Sequence, residues 1–108
     1  MEIQVKARGL PGAAGIRRLA VAHIAAALSG FDDRVEEVTV RLEDTNGPDR
    51  GGMDKLCRAV IRFRDSSVLI VEELGRDIGR VVERAARRIR EDVSRRLAWQ
   101  RPAVALPA

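Results

Sequence analysis

The sequence predicts an α+β domain of two layers, in the order β-α-β-β-β-α, with a four-stranded mixed sheet and both helices on one of its faces. Two patterns carry that prediction. Four short stretches alternate apolar and polar residues with period two, and two longer stretches repeat apolar residues at helical spacing. The length of 108 residues leaves room for one hydrophobic core.

Residues 2–8 (EIQVKAR) open with Ile3, Val5 and Ala7 on one face and polar side chains on the other, a half-buried strand. Gly9, Pro11 and Gly12 break it. From Ala13 to Ser29 the period changes to that of a helix through Ile16, Leu19, Ala20, His23, Ala27 and Leu28, and Gly30 stops it. Residues 35–43 (VEEVTVRLE) form a second strand with Val38, Val40 and Leu42 facing inward. Residues 56–64 (LCRAVIRFR) form a third, with Cys57, Ala59, Ile61 and Phe63 inward and Arg58, Arg62 and Arg64 outward. Asp65 to Ser67 is a hairpin turn, and residues 68–73 (VLIVEE) are the last strand. Helical period returns from Gly75 to Ala98 through Ile78, Val82, Ala85, Ile89, Val93 and Leu97. Residues 1–98 are read as one domain and residues 99–108 as a C-terminal tail. The first helix makes strands one and two parallel neighbours, and the later strands follow as antiparallel hairpins.

Composition narrows the function. One His, no Tyr, one Cys, four Ser and two Thr leave few nucleophiles or proton carriers, so the chain is not expected to be an enzyme and no catalytic residue is assigned. No small-molecule substrate is expected either. No second Cys or His stands at ligand spacing from Cys57, so neither a metal nor a cofactor is expected. The longest apolar stretch, Leu19 to Leu28, is too short to span a bilayer and is interrupted by His23. The opening residues lack the apolar run of a signal peptide, so a cytoplasmic location is expected.

The 18 Arg and two Lys outnumber 16 acids, and the excess is uneven: residues 31–49 carry −5, whereas residues 76–108 carry +5. A basic last third suits a polyanion such as nucleic acid, or equally a solvated arginine-rich face.

The segment from Asp44 to Lys55 is the least ordinary feature. A hairpin loop usually runs about two to five residues, and this one runs near twelve. Asn46, Gly47, Gly51 and Gly52 permit backbone turns that gather N–H groups around one anion, with Arg50 and Lys55 supplying charge. A hairpin tip with no ligand fits the same spacing. Asp44, Asn46 and Asp49 start like a calcium loop, but Lys55 stands where a bidentate Glu is needed.

At about 100° per residue, Arg80, Arg84, Arg88 and Arg95 form a stripe on the last helix, flanked by Arg76, Arg87 and Arg90. That stripe lies more than a right angle from the apolar one. Its guanidiniums are therefore expected to be free to bind phosphate, for which the planar fork is suited. Salt bridges to Glu83, Glu91 and Asp92 are the competing use. Arg17 and Arg18 in the first turns of the first helix oppose the macrodipole, which hints that they too serve a partner. Phe31, Phe63 and Trp99 do not interleave with the strand arginines, so any RNA contact is expected through phosphates and shape, not base stacking.

Element order, the run from Phe31 to Leu42 (FDDRVEEVTVRL) and the segment Asp44, Asn46, Gly47, Gly51, Gly52, Asp54, Lys55, Cys57 resemble the ribosome hibernation-promoting factor family, also called ribosome-associated inhibitor or sigma-54 modulation protein. Val82 to Ile89 (VERAARRI) is similar to that family's helix signature, with Arg88 at its basic position and Arg95 or Arg96 at a later one. The resemblance implies a double-stranded-RNA-binding-domain-like fold. It also implies a stress-response factor that binds the small ribosomal subunit and its ribosomal RNA between head and body, and so keeps idle ribosomes from translating. Lacking the second domain that pairs ribosomes in longer relatives, the chain is not expected to dimerise them by that route. The oligomeric state is left open. The RNA-binding set expected on this reading is Arg17, Arg18, Lys55, Arg80, Arg84, Arg87, Arg88 and Arg95. A general RNA-binding or protein-interaction module of the same fold is the alternative.

Overall fold

The computed structural model describes residues 1–46 and 52–99, and for Trp99 the backbone alone. Six elements follow in order: β1 (Glu2–Arg8), α1 (Ala13–Ala27), β2 (Val35–Asp44), β3 (Lys55–Phe63), β4 (Val68–Gly75) and α2 (Ile78–Trp99). The sheet has the order β1-β2-β3-β4. The β1 and β2 strands are parallel, as a helical crossover between them requires, and the two hairpins are antiparallel. The two-layer α+β architecture is the one expected from periodicity.

Alternation decides the layers. Val38, Val40 and Leu42 of β2, Cys57, Ala59, Ile61 and Phe63 of β3 and Val71 of β4 all point to one side and are buried. Against them lie Ala20, Ile24 and Leu28 from the first helix region and Val81, Val82, Ala85, Ile89, Val93 and Leu97 of α2. The core thus sits between one sheet face and both helices, and the other face is bare. Element ends differ from expectation by a few residues. Gly75 belongs to β4, not to the last helix, and α2 starts at Ile78, where Asp77 caps it: its carboxylate accepts from the Arg80 N–H at 3.1 Å. Helix α2 reaches Trp99, one residue past the expected domain boundary, and the rest of the expected tail lies outside the described residues. Gly30, at φ +91°, is the left-handed residue that turns the chain after α1.

No described helix is long and apolar enough to cross a membrane.

Candidate nucleic-acid interface

Helix α2 carries its apolar residues in an arc broad enough to cover β3 and β4, which leaves its arginines other than Arg96 on the remaining surface. Arg84 and Arg88 of the stripe do not stand free. Arg84 donates from Nε to Glu73 Oε1 (3.3 Å) and from a terminal nitrogen to the Leu74 carbonyl (2.9 Å). Arg88 donates to the Glu72 carbonyl (3.1 Å) and to Glu73 Oε2 (3.0 Å), and its Nε lies 3.6 Å from Asp92. The expectation that the whole stripe is free for a ligand is therefore corrected. The stripe flanks the apolar arc on the side of β4, close enough for long side chains to fold down onto that strand. Arg96 adds a third such contact, donating to the Val68 carbonyl at 3.1 Å with its guanidinium 4.8 Å from the Phe63 ring centroid. Three guanidiniums thus occupy carbonyls of an edge strand, a position that otherwise invites pairing with another chain. Gly75 has no room for a Cβ, which would come within 2.7 Å of both buried Val81 Cγ2 and the Arg84 guanidinium.

Below this rim is an open hollow of about 660 Å³ lined by Leu69, Arg88, Asp92, Arg95 and Arg96. Asp92 bridges Arg88 and Arg95. Across the rim and hollow, four guanidiniums (Arg84, Arg88, Arg95, Arg96) face two carboxylates, Glu73 and Asp92. The surplus is positive, and the Arg88 and Arg95 side chains are 48 % and 66 % exposed. Such planar forks bond a phosphate as readily as a carboxylate. Arg80 and Arg87 are exposed and make no ion pair among the described residues. Arg90 is engaged elsewhere, donating to the Ala27 carbonyl at 3.1 Å with its guanidinium 5.6 Å from the Phe31 ring centroid.

The remaining expected residues are not part of this surface. Arg17 and Arg18 line a separate hollow of about 450 Å³ with Val5, Ala14, Val21 and Ala22, at the β1 edge, opposite the β4 edge. Lys55 is held at the base of the long hairpin: its Nζ lies 2.6 Å from Asp54 Oδ1 and 3.3 Å from Asp44 Oδ2. Both carboxylates are buried, and the hydrogen bond from Lys55 to Asp54, foremost, raises the lysine pKa above 10.5. Its role as a free charge for a bound anion is corrected to that of a clamp. The Asn46 N–H is likewise taken, donating to Asp44 Oδ1 at 3.1 Å in an Asx turn. Thr45 donates its N–H to the Asp54 carbonyl at 2.9 Å, closing the hairpin base. Gly52 has the positive φ expected of a turn, +112°. Gly47, Arg50 and Gly51 lie outside the described residues.

Glu73 is not in the expected site, and Arg96 enters the sequence reading only as the alternative to Arg95. Glu73 shares the inward parity of Leu69 and Val71, and an acid at such a register position signals a facing cation. Arg96 falls within the apolar arc of α2, which on a helical wheel reads as a defect. At the last turn its stem can instead pack on Phe63 while the head reaches the strand end. Cys57 is buried, and burial, with the Glu73 charge, pushes its thiol up to about 12, so it is a packing residue. Among the described residues no three His, Cys, Asp or Glu side chains gather to hold a metal.

A four-stranded mixed sheet with two helices on one face and a basic rim along one edge defines a two-layer α+β fold. The chain is similar in structure to a ribosomal subunit interface protein from Coxiella burnetii, with TM-score 0.72 and 14 % identity over 91 % of this chain and 99 % of that one. It is also similar to the N-terminal domain of Protein Y from Thermus thermophilus, with TM-score 0.66 and 18 % identity over 87 % and 93 %. The fold implied by the resemblance to the hibernation-promoting factor family is the fold of these two proteins. No family model and no curated protein sequence matches the chain.

Proposed function

We propose that this chain is a non-enzymatic, cytoplasmic ribosome-associated factor of the hibernation type, which contacts ribosomal RNA phosphates of the small subunit and holds idle ribosomes inactive. The observation that carries the reading is the α2–β4 rim, where Arg88, Arg95 and Arg96 surround one hollow, on a fold shared along most of the chain with a ribosomal subunit interface protein. Exposed Arg80 and Arg87 extend that surface along the helix. Among the described residues the rim and hollow offer positive forks, which suit the binding of phosphates.

Sedimentation of a stationary-phase lysate through a sucrose gradient tests it, with the protein expected beside small subunits or whole ribosomes. Raising salt should release it: for about five neutralised phosphates, log affinity falls against log salt with a slope of roughly −4 to −5. A protein that stays at the top of the gradient yet shifts naked RNA would instead be a general RNA-binding module. A flat salt response would point to a protein partner.

A further inference from the structure

The bare face of the sheet carries a charge arrangement that the α2–β4 rim does not explain. In the observed register, Lys6 of β1 lies opposite Arg41 of β2, Arg41 opposite Arg58 of β3, and Arg58 opposite Glu72 of β4. Three cations therefore stand in one row across three adjacent strands, about 4.8 Å apart at the backbone. Like charges directly opposite one another in a sheet are destabilising. Only the far end is compensated, where Arg58 donates to Glu72 at 3.0 Å. Lys6 and Arg41 are exposed and have no ion pair among the described residues. The nearest acid on the same face, Glu43, sits one row away, opposite Leu56, and pairs with neither.

Around the row is a hollow of about 220 Å³ lined by Lys6, Thr39, Val40, Arg41, Arg58 and Val60. Its cations are held by a sheet whose other side is packed against both helices, so their spacing is set before any ligand arrives. Thr39 adds a hydroxyl in the neighbouring row. No aromatic side chain of the described strands lies on this face, since Phe63 points into the core. A ligand seated here meets positive charge and hydrogen-bond donors, without a stacking platform.

We propose that the row Lys6, Arg41, Arg58 on the bare sheet face is a second anion-binding surface, which takes phosphate groups carried by an RNA backbone or by a free polyphosphate. One phosphate between Lys6 and Arg41 removes their repulsion, and Arg58 can turn one of its nitrogens from Glu72 to the same or the next phosphate. The site rests on the sheet register and does not require α2 to bind RNA.

Amide chemical shifts of the full chain, titrated separately with tripolyphosphate and with a twelve-nucleotide oligouridine, test the proposal. The shifts are expected at Lys6, Thr39, Arg41, Arg58 and Val60, and they persist in an Arg88→Gln/Arg95→Gln variant. Movement with oligouridine alone identifies a nucleic-acid strand as the carrier, and movement with tripolyphosphate alone identifies a free anion. The Lys6→Gln/Arg41→Gln variant should melt no lower than the parent, because a repulsion is relieved. On oligouridine its log–log salt slope should be shallower by about 1.4, from two lost contacts at about 0.7 each. Sheet-face amides that stay still with both probes overturn the proposal, even if residues of α2 respond and the ribosome reading stands. Loss of ribosome sedimentation with the sheet-face shifts intact would overturn that reading and leave this one.

Discussion

Replacing Arg84 and Arg88 together by Ala should destabilise the fold, whereas a helical wheel alone treats both as surface positions worth under about 0.5 kcal/mol. The two side chains make four hydrogen bonds, two to Glu73 and two to the carbonyls of Glu72 and Leu74. They are 44 % and 48 % exposed, so water screens the ion pairs and rehydrates the carbonyls after substitution. Exposed pairs of this kind contribute about 0.2–1 kcal/mol each. Adding the carbonyl bonds at a similarly discounted value gives a loss of about 1–2 kcal/mol. For a domain near 100 residues, that lowers the melting temperature by roughly 5–10 °C. Urea melts should show a lower midpoint with an unchanged slope. A cycle with Glu73→Gln should return a coupling of about 0.5 kcal/mol or more between Arg88 and Glu73. A total loss below about 0.5 kcal/mol with no coupling would refute the reasoning and make these guanidiniums solvated charges. The same calculation bears on binding experiments. A weakened Arg84→Ala/Arg88→Ala variant must be compared at equal folded fraction, whereas Arg80→Ala and Arg87→Ala probe binding without that complication.

Ile89→Ala removes a fully buried side chain from the centre of α2 and should cost about 2–5 kcal/mol, read by urea melt, with no change in the charged surface. Asp54→Asn removes the principal charged partner of Lys55 at a buried position and should cost about 1–3 kcal/mol. Because Lys55 is raised above its ordinary 10.5, its contribution to stability is whole below that pH and is lost as pH climbs through the raised value. Melts between about pH 9 and 12 should show that loss in the parent and a smaller one in Asp54→Asn. With its thiol pushed up to about 12, Cys57 should resist alkylation in the folded protein near pH 8 and react at once in urea. Rapid native labelling would contradict its burial.

By itself the sequence determined the elements and the layers. Period two marked Val38, Val40 and Leu42, and Cys57, Ala59, Ile61 and Phe63, as one buried face, because a strand sends alternate side chains to opposite sides whatever it packs against. Period 3.6 marked Val82, Ala85, Ile89 and Val93 for the same local reason. The long hairpin was visible as a gap with no period. The partners of long charged side chains were not visible, because they depend on which strand lies under which helix. Helix α2 sits over the β4 edge, so Arg84, Arg88 and Arg96 meet carbonyls some 10–28 residues away in the chain. The β2–β3 register brings Lys55 beside Asp44, which turns an expected anion ligand into a clamp. The order of strands places the Arg17 and Arg18 hollow at the β1 edge, away from the Arg88, Arg95 and Arg96 hollow at the β4 edge, and aligns Lys6, Arg41 and Arg58 in one row. Backbone pattern is a local property, legible along the chain. A guanidinium reaches far enough from its helix that only the assembled layers decide whether it meets a carboxylate, a carbonyl or water.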